Sequence, residues 1–379
     1  MHRLFQEQND EQVTFSLYYS VFMFDFNLAF GHPAKDVCST CMKYRIQMRN
    51  PDLSANDRRE KTALYIVHRR RARQFYESMQ QVQNTYTVCF DVMENLVLPK
   101  SAIGQTFYSR QLYMYVFCVV RHRGQGQEQS RDDIHLYVWQ EHENKKDSNM
   151  IASALNHYFN IVGNDIVTHR MLRLFSDSCY GQNKNINVLA MLFALRATLL
   201  PDTKIEYTFP VRGHSFLPAD RVFGRLEQEI RRKPTIFLPS EYIEIMRVHG
   251  TVHVYGADWN CYDYKTAATK HCSSSRSFKI SEAKVLEINR EKLGFMASCH
   301  GDFCTHSVLK RGKKWDGFQP TIMNNINCVK PAKKKDVMNL ITELGVQDNV
   351  RQFYETAFEG VGRLPVGRQD LEESSDDDS

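Results

Sequence analysis

Three runs of β-branched and aromatic residues, Tyr86–Leu98, Leu112–Arg121 and Ile134–Glu141, follow one another with only Gly-rich or polar turns between them. Runs of this kind are strands, and short turns between them make an antiparallel meander. Downstream the pattern changes to alternation. A helix from Ser148 to about Val162, capped by Ser148, is followed by a strand at Arg170–Ser176, a helix at Ile186–Leu200, a strand at Lys204–Pro210 and a helix at Pro218–Arg232. Three antiparallel strands and then alternating helix and strand point to an α/β architecture, and in the fold that the motifs quoted below resemble, the first and fourth strands lie side by side.

That neighbourhood gives the acids of the two strands a meaning. Asp91 interrupts an apolar run, where a lone carboxylate is costly to bury without a partner or a metal, although a bulge or an edge position would also accommodate it. Asp177 follows Leu174–Ser176 and precedes Gly181 and the polar turn that opens the next helix. This is the carboxyl end of a strand, where open α/β sheets bind ligands, and a turn cap is the competing role. The stretch GHSFLPADRVFGRLEQE, Gly213–Glu229, reads as strand end, loop and helix, with Pro218 in the first helical turn. Asp220 and Glu227 are seven apart and share a face. The helix start lies nearest the strand ends, which favours Asp220 as a third acid over Glu227. His214 could position a phosphate or leaving group, and Arg212, Lys184 and Arg221 flank the acids, either to hold DNA phosphates or as plain surface charge.

Three carboxylates around two divalent ions suit in-line attack on a phosphodiester, and oxygen-only donors favour Mg²⁺ or Mn²⁺. A separate motif stands upstream. Cys38-x2-Cys41, with His32 before it and His68 after it, has the spacing of a closed tetrahedral zinc site. A thiol pair without metal is the alternative. A further set, His271, Cys272, Cys299, His300, Cys304 and His306, is irregularly spaced.

The chain thus divides into a helical segment with the Cys/His knuckle (1–84), an α/β core (85–235), an α+β extension (236–358) with short strands at Thr251–Val254 and Phe278–Ile280 and a terminal helical segment from 331, and an acidic, Ser-rich tail (359–379) expected to be disordered. The charged helix of the first part runs from about Ala55 to Val82. The composition is that of a folded globular protein: 379 residues, 42% hydrophobic and 12% aromatic, a size at which about two domains are expected. No apolar stretch reaches a membrane span, and acids at Glu7, Asp10 and Glu11 argue against a secretory leader. Ten cysteines in this length are too dilute for a disulfide scaffold. The net charge is only +5, but basic residues cluster at His68–Arg73, Arg231–Lys233, Lys310–Lys314 and Lys333–Lys335, as polyanion-binding surfaces do.

Taken together, HPAKDVCSTC, YTVCFDVMENLVLP, FSDSCYGQNKN and GHSFLPADRVFGRLE resemble, in order and character, a group of transposon-derived animal proteins with a ribonuclease-H-like, integrase-type core. The Lys-rich start and FYETAF end of Lys333–Phe358 are similar too. The resemblance implies a ribonuclease-H-like fold and a transposase-like DNA strand-transfer or nuclease activity with a DDE/D triad. Its acids fall on Asp91, Asp177 and Asp220, with Glu227 also matching, and its knuckle on Cys38 and Cys41, then His32 and His68. It implies DNA as partner, a homo-oligomer assembled on it, a nuclear location, two catalytic Mg²⁺ or Mn²⁺ ions and one structural zinc, with no membrane association. The chain opens almost at the knuckle with no sequence-reading module before it, so a truncated or host-adopted copy, kept as a non-catalytic DNA-binding scaffold, is the alternative expectation. A nuclease directed at RNA is a third.

Overall fold

The computed structural model describes residues 2–9, 13–26, 37–124, 126–127, 129–290, 292–297, 302–359 and 361. From the N-terminus the chain forms α1 (His2–Gln8), α2 (Phe15–Phe24), α3 (Ser39–Arg49), α4 (Ala55–Met79), β1 (Thr85–Val92), β2 (Leu96–Leu98), α5 (Gly104–Tyr108), β3 (Leu112–His122), β4 (Ile134–Gln140), α6 (Ser148–Ile166), β5 (Met171–Phe175), α7 (Ile186–Thr198), β6 (Lys204–Thr208) and α8 (Pro218–Arg232). It continues through α9 (Pro239–His249), β7 (Thr251–Val254), α10 (Tyr264–His271), β8 (Val285–Ile288), β9 (Lys292–Met296), β10 (Cys304–Ser307), α11 (Pro331–Glu343) and α12 (Asp348–Ala357).

All strands join one sheet in the order β10-β9-β8-β6-β5-β1-β3-β4-β7, with β2 paired to β3. The pairs β1–β3 and β3–β4 are antiparallel, and β5 lies parallel to both β1 and β6. The meander, and the first of its strands beside the strand that follows α6, are therefore present. This mixed α/β arrangement is compatible with a ribonuclease-H-like fold. The segment after residue 235 extends the same sheet: β7 pairs parallel with β4 at one edge, and β8, β9 and β10 add antiparallel strands beyond β6.

Local expectations need four corrections. Tyr86–Leu98 is two strands, because three residues, 93–95, face two on β3: Val92 pairs with Phe117 and Leu96 with Met114. That extra residue is a bulge, which bends the strand directly after Asp91. The cap of α6 is Asp147, whose carboxylate accepts from the backbone N–H groups of Asn149 and Met150; Ser148 is the first helical residue. Phe278–Ile280 is not a strand, and Ile280 begins a 3₁₀ turn. The terminal segment is two helices, α11 and α12. The acidic tail lies outside the described residues apart from its first few positions.

Side-chain alternation along the strands sorts two cores onto the two faces of the sheet. Tyr86, Val88, Phe90, Phe117, Val119 and Trp139 pack with α6, α7 and α10 on one face. Met114, Val116, Cys118, Val120, Leu136 and Val138 pack with α8, α9, α11 and α12 on the other. The second face also takes Cys89 and Phe175, which meet Phe75 and Met79 of α4 and Leu217 before α8. Arg173 of β5 fastens the end of α4: it pairs with Glu206 at 2.7 Å and donates to the Ser78 carbonyl at 2.9 Å. A cation at a helix C-terminus answers the carbonyls left there.

Candidate active site and metal cluster

Two-residue alternation carries Asp91 to the face of Cys89 and Asp177 to that of Phe175, and Cys89 and Phe175 are register partners in the parallel pair β1–β5. The two acids thus emerge side by side at the strand ends, under the N-terminus of α8. Burial, together with the charges of Asp177 and Asp220, holds the Asp91 carboxyl well above the usual carboxylate range. Like charges brought together out of water resist ionising. Asp91 Oδ1 accepts from the Val92 N–H at 2.7 Å. Asp177 is also raised by burial, against hydrogen bonds that favour its ionised form from the Asn183 amide and the Cys179 N–H. Asp220 Oδ2 accepts from the Leu217 N–H at 2.6 Å, so it caps α8 while facing the other two acids. Glu227 stands two turns further along, 3.3 Å from Arg231.

A cavity of about 730 Å³ opens beside these acids, with Val92, Met93, Glu94, His214, Asp220 and Glu227 in its wall. Glu94 was not anticipated; it sits in the bulge after Asp91, where a strand reading hides it.

The Cys/His cluster lies next to this cavity. Sγ of Cys38 is 3.3 Å from Nε2 of His68, Sγ of Cys41 is 3.3 Å from Nε2 of His214, and the two Nε2 atoms are 3.1 Å apart. All four donor atoms lie within 4.8 Å of one another. A tetrahedron with metal–sulfur and metal–nitrogen distances of about 2.3 and 2.0 Å has edges of roughly 3.3–3.8 Å, so the group could bind a metal ion and is compatible with zinc. Burial lowers His214, helped by His68 and Arg69, and burial with Arg69 and Arg71 lowers His68. Both rings are therefore neutral at neutral pH, the form that ligates. Burial and the neighbouring Cys38 raise Cys41, partly offset by Arg69 and Arg45, a repulsion that a cation between the two thiolates would relieve.

His214, expected beside the acids, lines their cavity and also turns its ring to the cysteines, a contact that the sequence did not suggest. His32, the histidine expected beside the cysteines, lies outside the described residues. The His214 ring reaches the cysteines because Gly213, at φ +76°, passes so close that a Cβ there would stand 2.7 Å from Cys38 Cα and 2.9 Å from its Cβ. The Tyr76 hydroxyl donates to the His214 carbonyl at 3.0 Å and fixes the same turn to α4. The sequence signal was the Gly-His pair before Pro218, but His214 is 146 residues from His68 and no spacing rule links them.

Among the described residues this is the one group of three or more His, Cys, Asp and Glu side chains gathered so tightly. Asp91 senses both Asp177 and Asp220 without the three closing to that distance, and His271, Cys272, Cys304 and His306 form no such group; Cys299 and His300 lie outside the described residues. Lys184 does not face phosphate: its ammonium donates to the carbonyls of Ser281 and Ala283 at 2.9 and 2.7 Å, and burial lowers its pKa to about 8. Lys333, from one of the basic clusters, is likewise engaged, paired with Glu141 at 2.7 Å above the ring of Tyr113.

A central mixed sheet, three electrostatically linked acids at its strand ends and a Cys2His2 group tied to the loop before α8 define an α/β protein with a candidate metal-dependent site. The chain belongs to the family described as domain of unknown function (DUF7869), whose model matches residues 106–295, half of the chain. That span holds Asp177, His214, Asp220 and Glu227; Asp91 and the cysteines lie before it. No curated protein and no solved structure matches the chain. Among the described residues, no helix is long and apolar enough to cross a membrane.

Proposed function

We propose that this protein is a transposase-like phosphodiester-cleaving or strand-transferring enzyme acting on DNA, with a ribonuclease-H-like core and the nucleus as its place of action. The observation that carries the reading is the convergence of Asp91, Asp177 and Asp220 from two adjacent parallel strands and a helix start, close enough to raise the Asp91 carboxyl. A cluster of repelling acids with oxygen donors only fits Mg²⁺ or Mn²⁺. Asp91, Asp177 and Asp220 would hold the ions, and the ions would supply activation of a water or hydroxyl nucleophile and charge stabilisation on the leaving oxygen. The chain's own part is positional: Asn183 and the Cys179 N–H orient Asp177, Val92 orients Asp91, and the Leu217–Asp220 cap sets the third carboxylate. Zinc at Cys38, Cys41, His68 and His214 would hold the loop that presents α8, as a structural ion.

The second reading, a non-catalytic DNA-binding scaffold, draws on Asp220 having a sufficient structural task as helix cap. A plasmid-nicking assay decides between them. With Mn²⁺ the wild type should nick supercoiled DNA, and Asp91→Asn and Asp177→Asn should each lose at least about 100-fold in rate, the range for losing a group acting in the transition state. Wild-type protein that binds DNA and nicks none sinks the enzymatic reading. Equal cleavage of RNA–DNA hybrid and duplex DNA would point to the RNA-directed nuclease instead, and nicking by Asp220→Asn but not by Glu227→Gln would move the third acid to Glu227.

A further inference from the structure

Helix α8 presents two differently charged faces on either side of its buried stripe of Val222, Phe223, Leu226 and Ile230. Asp220 and Glu227 face the acidic cavity. Arg221 and Arg225, one turn apart, face a second cavity of about 590 Å³ between α8, the C-terminal end of α4 and the end of β3. Four guanidinium groups line it, from Arg121, Arg123, Arg221 and Arg225, against one carboxylate among the described lining residues, Glu77. Two of the four have internal partners. Arg121 is 3.3 Å from Asp165 and lies over the ring of Tyr86, and Arg123 grips the buried Asp133 with Nε at 2.9 and 2.8 Å from its two oxygens. Arg221 and Arg225 make no hydrogen bond or ion pair among the described residues. They are like charges at i and i+4, an arrangement that destabilises a helix unless an anion lies between them.

The position of this cavity says which anion. Tyr76 lines both cavities, so they are neighbours on one face of the sheet. His122, in the wall of the basic one, pairs with Thr87 of β1, and Asp91 lies four residues further along that strand, about 13 Å at the rise of a β-strand. A few nucleotides of a nucleic-acid strand span that distance. Arg123, Gly124, Gly126, Gln127 and Gln129 form the wall on the β3 side, the two glycines at positive φ.

We propose that the cavity lined by Arg121, Arg123, Arg221 and Arg225 is a phosphate subsite that holds the backbone of a polynucleotide whose neighbouring segment lies at Asp91, Asp177 and Asp220. The identity of the polyanion rests on the function proposed above; the anion chemistry rests on the arginines. Planar guanidinium pairs bind phosphate oxygens bidentately, and Arg121 and Arg123, held by their acids, define the wall against which Arg221 and Arg225 close on the ligand.

Anisotropy titrations of a labelled single-stranded 20-mer, without added divalent ion, test this with the full chain. Arg221→Ala/Arg225→Ala should bind at least about 10-fold more weakly, and the slope of log affinity against log salt should flatten by about 1.4, two contacts at about 0.7 each. Arg221→Lys/Arg225→Lys should keep most of the slope, and Arg110→Ala, on a distant surface pair with Asp336, should match wild type. If the alanine pair lowers the melting temperature, Arg221→Gln/Arg225→Gln carries the same expectation with the side-chain stems retained. A folded double variant with unchanged affinity and slope overturns the proposal. So does calorimetry in which pyrophosphate or ATP binds through these arginines while DNA affinity does not depend on them, which would assign the cavity to free phosphoesters. Nicking is read separately: DNA binding that needs the arginines without any nicking refutes the catalytic reading and leaves the subsite standing, whereas nicking by a double variant with wild-type DNA affinity does the reverse.

Discussion

Gly213 shows how much one residue without a side chain can control. It stands at positive φ against the backbone of Cys38, so any Cβ meets both a strained backbone conformation and a main-chain atom that cannot rotate away. Its substitution should act on the cluster and on the acids together, because His214 and Asp220 lie one and seven residues downstream. We expect Gly213→Ala to be less stable by about 2–4 kcal/mol, a strained φ plus a backbone collision. It should also retain well under one zinc per chain, measured by denaturant unfolding and by metal analysis of the purified variant. Near-normal stability with full metal content would show that the loop has another way to reach Cys38 and Cys41. Asp220 illustrates a different residue-scale lesson, since a single carboxylate is both a helix cap and the neighbour of two acids, and a cap and a ligand look identical in sequence.

At the scale of elements, the edge pair β4–β7 carries a buried group of titratable side chains that nothing in the pattern of strands foretold. His135 of β4 and His253 of β7 stack with ring planes 5° apart and Nδ1 of the first 2.9 Å from Nε2 of the second. His157 of α6 lies edge-on to His253 and within 3.0 Å of the Tyr137 hydroxyl. Burial lowers His253 to about 4, with His135 and His157 adding to the effect and Asp258 opposing it; burial also lowers His135 and His157, with Asp132, Asp133 and Asp258 as the opposing acids. A histidine whose folded pKa lies below its unfolded one binds its proton first in the unfolded chain. The stability is therefore complete above about pH 6.5 and is lost as pH falls toward 4. Between pH 7 and pH 5 the His253 contribution should fall by about 1–2 kcal/mol, and His253→Gln should flatten that part of the curve in urea unfolding at the two pH values. A wild-type midpoint that does not move between them would contradict the assignment.

For the whole molecule, the Cys2His2 group joins three distant stretches: the start of α3, the middle of α4 and the loop before α8. The helical segment before the sheet is also held by the contact patch around Phe75, Met79 and Leu217 and by the Arg173 and Tyr76 hydrogen bonds at the end of α4, and an ion at the cluster would add to that attachment. A strong chelator should release about one zinc per chain and lower the melting temperature by roughly 2–3 °C, the shift that about 2 kcal/mol makes in a chain of this size. Limited proteolysis should then cut first within residues 37–84. Unchanged melting in Cys38→Ser/Cys41→Ser would make the cluster a thiol and imidazole contact without a metal. Much of this architecture was legible in the chain itself. The strands of the meander, α7, β6 and α8 follow from local periodicity and β-branched content, whereas the adjacency of β1 and β5, which pairs Asp91 with Asp177, is an expectation carried by the resemblance to a ribonuclease-H-like fold. Short-range chemistry determines those elements, because each is settled within about a dozen residues. The tertiary structure alone decided the rest: His214 beside Cys38, Cys41 and His68, Lys184 as an interior cation, the bulge that sets Glu94 beside the acids, the joining of β7–β10 to the same sheet, and the arginine cavity on the far side of α8. Each of these depends on groups far apart in the chain meeting across a packed interface, and no periodicity in the sequence records where a helix face comes to rest.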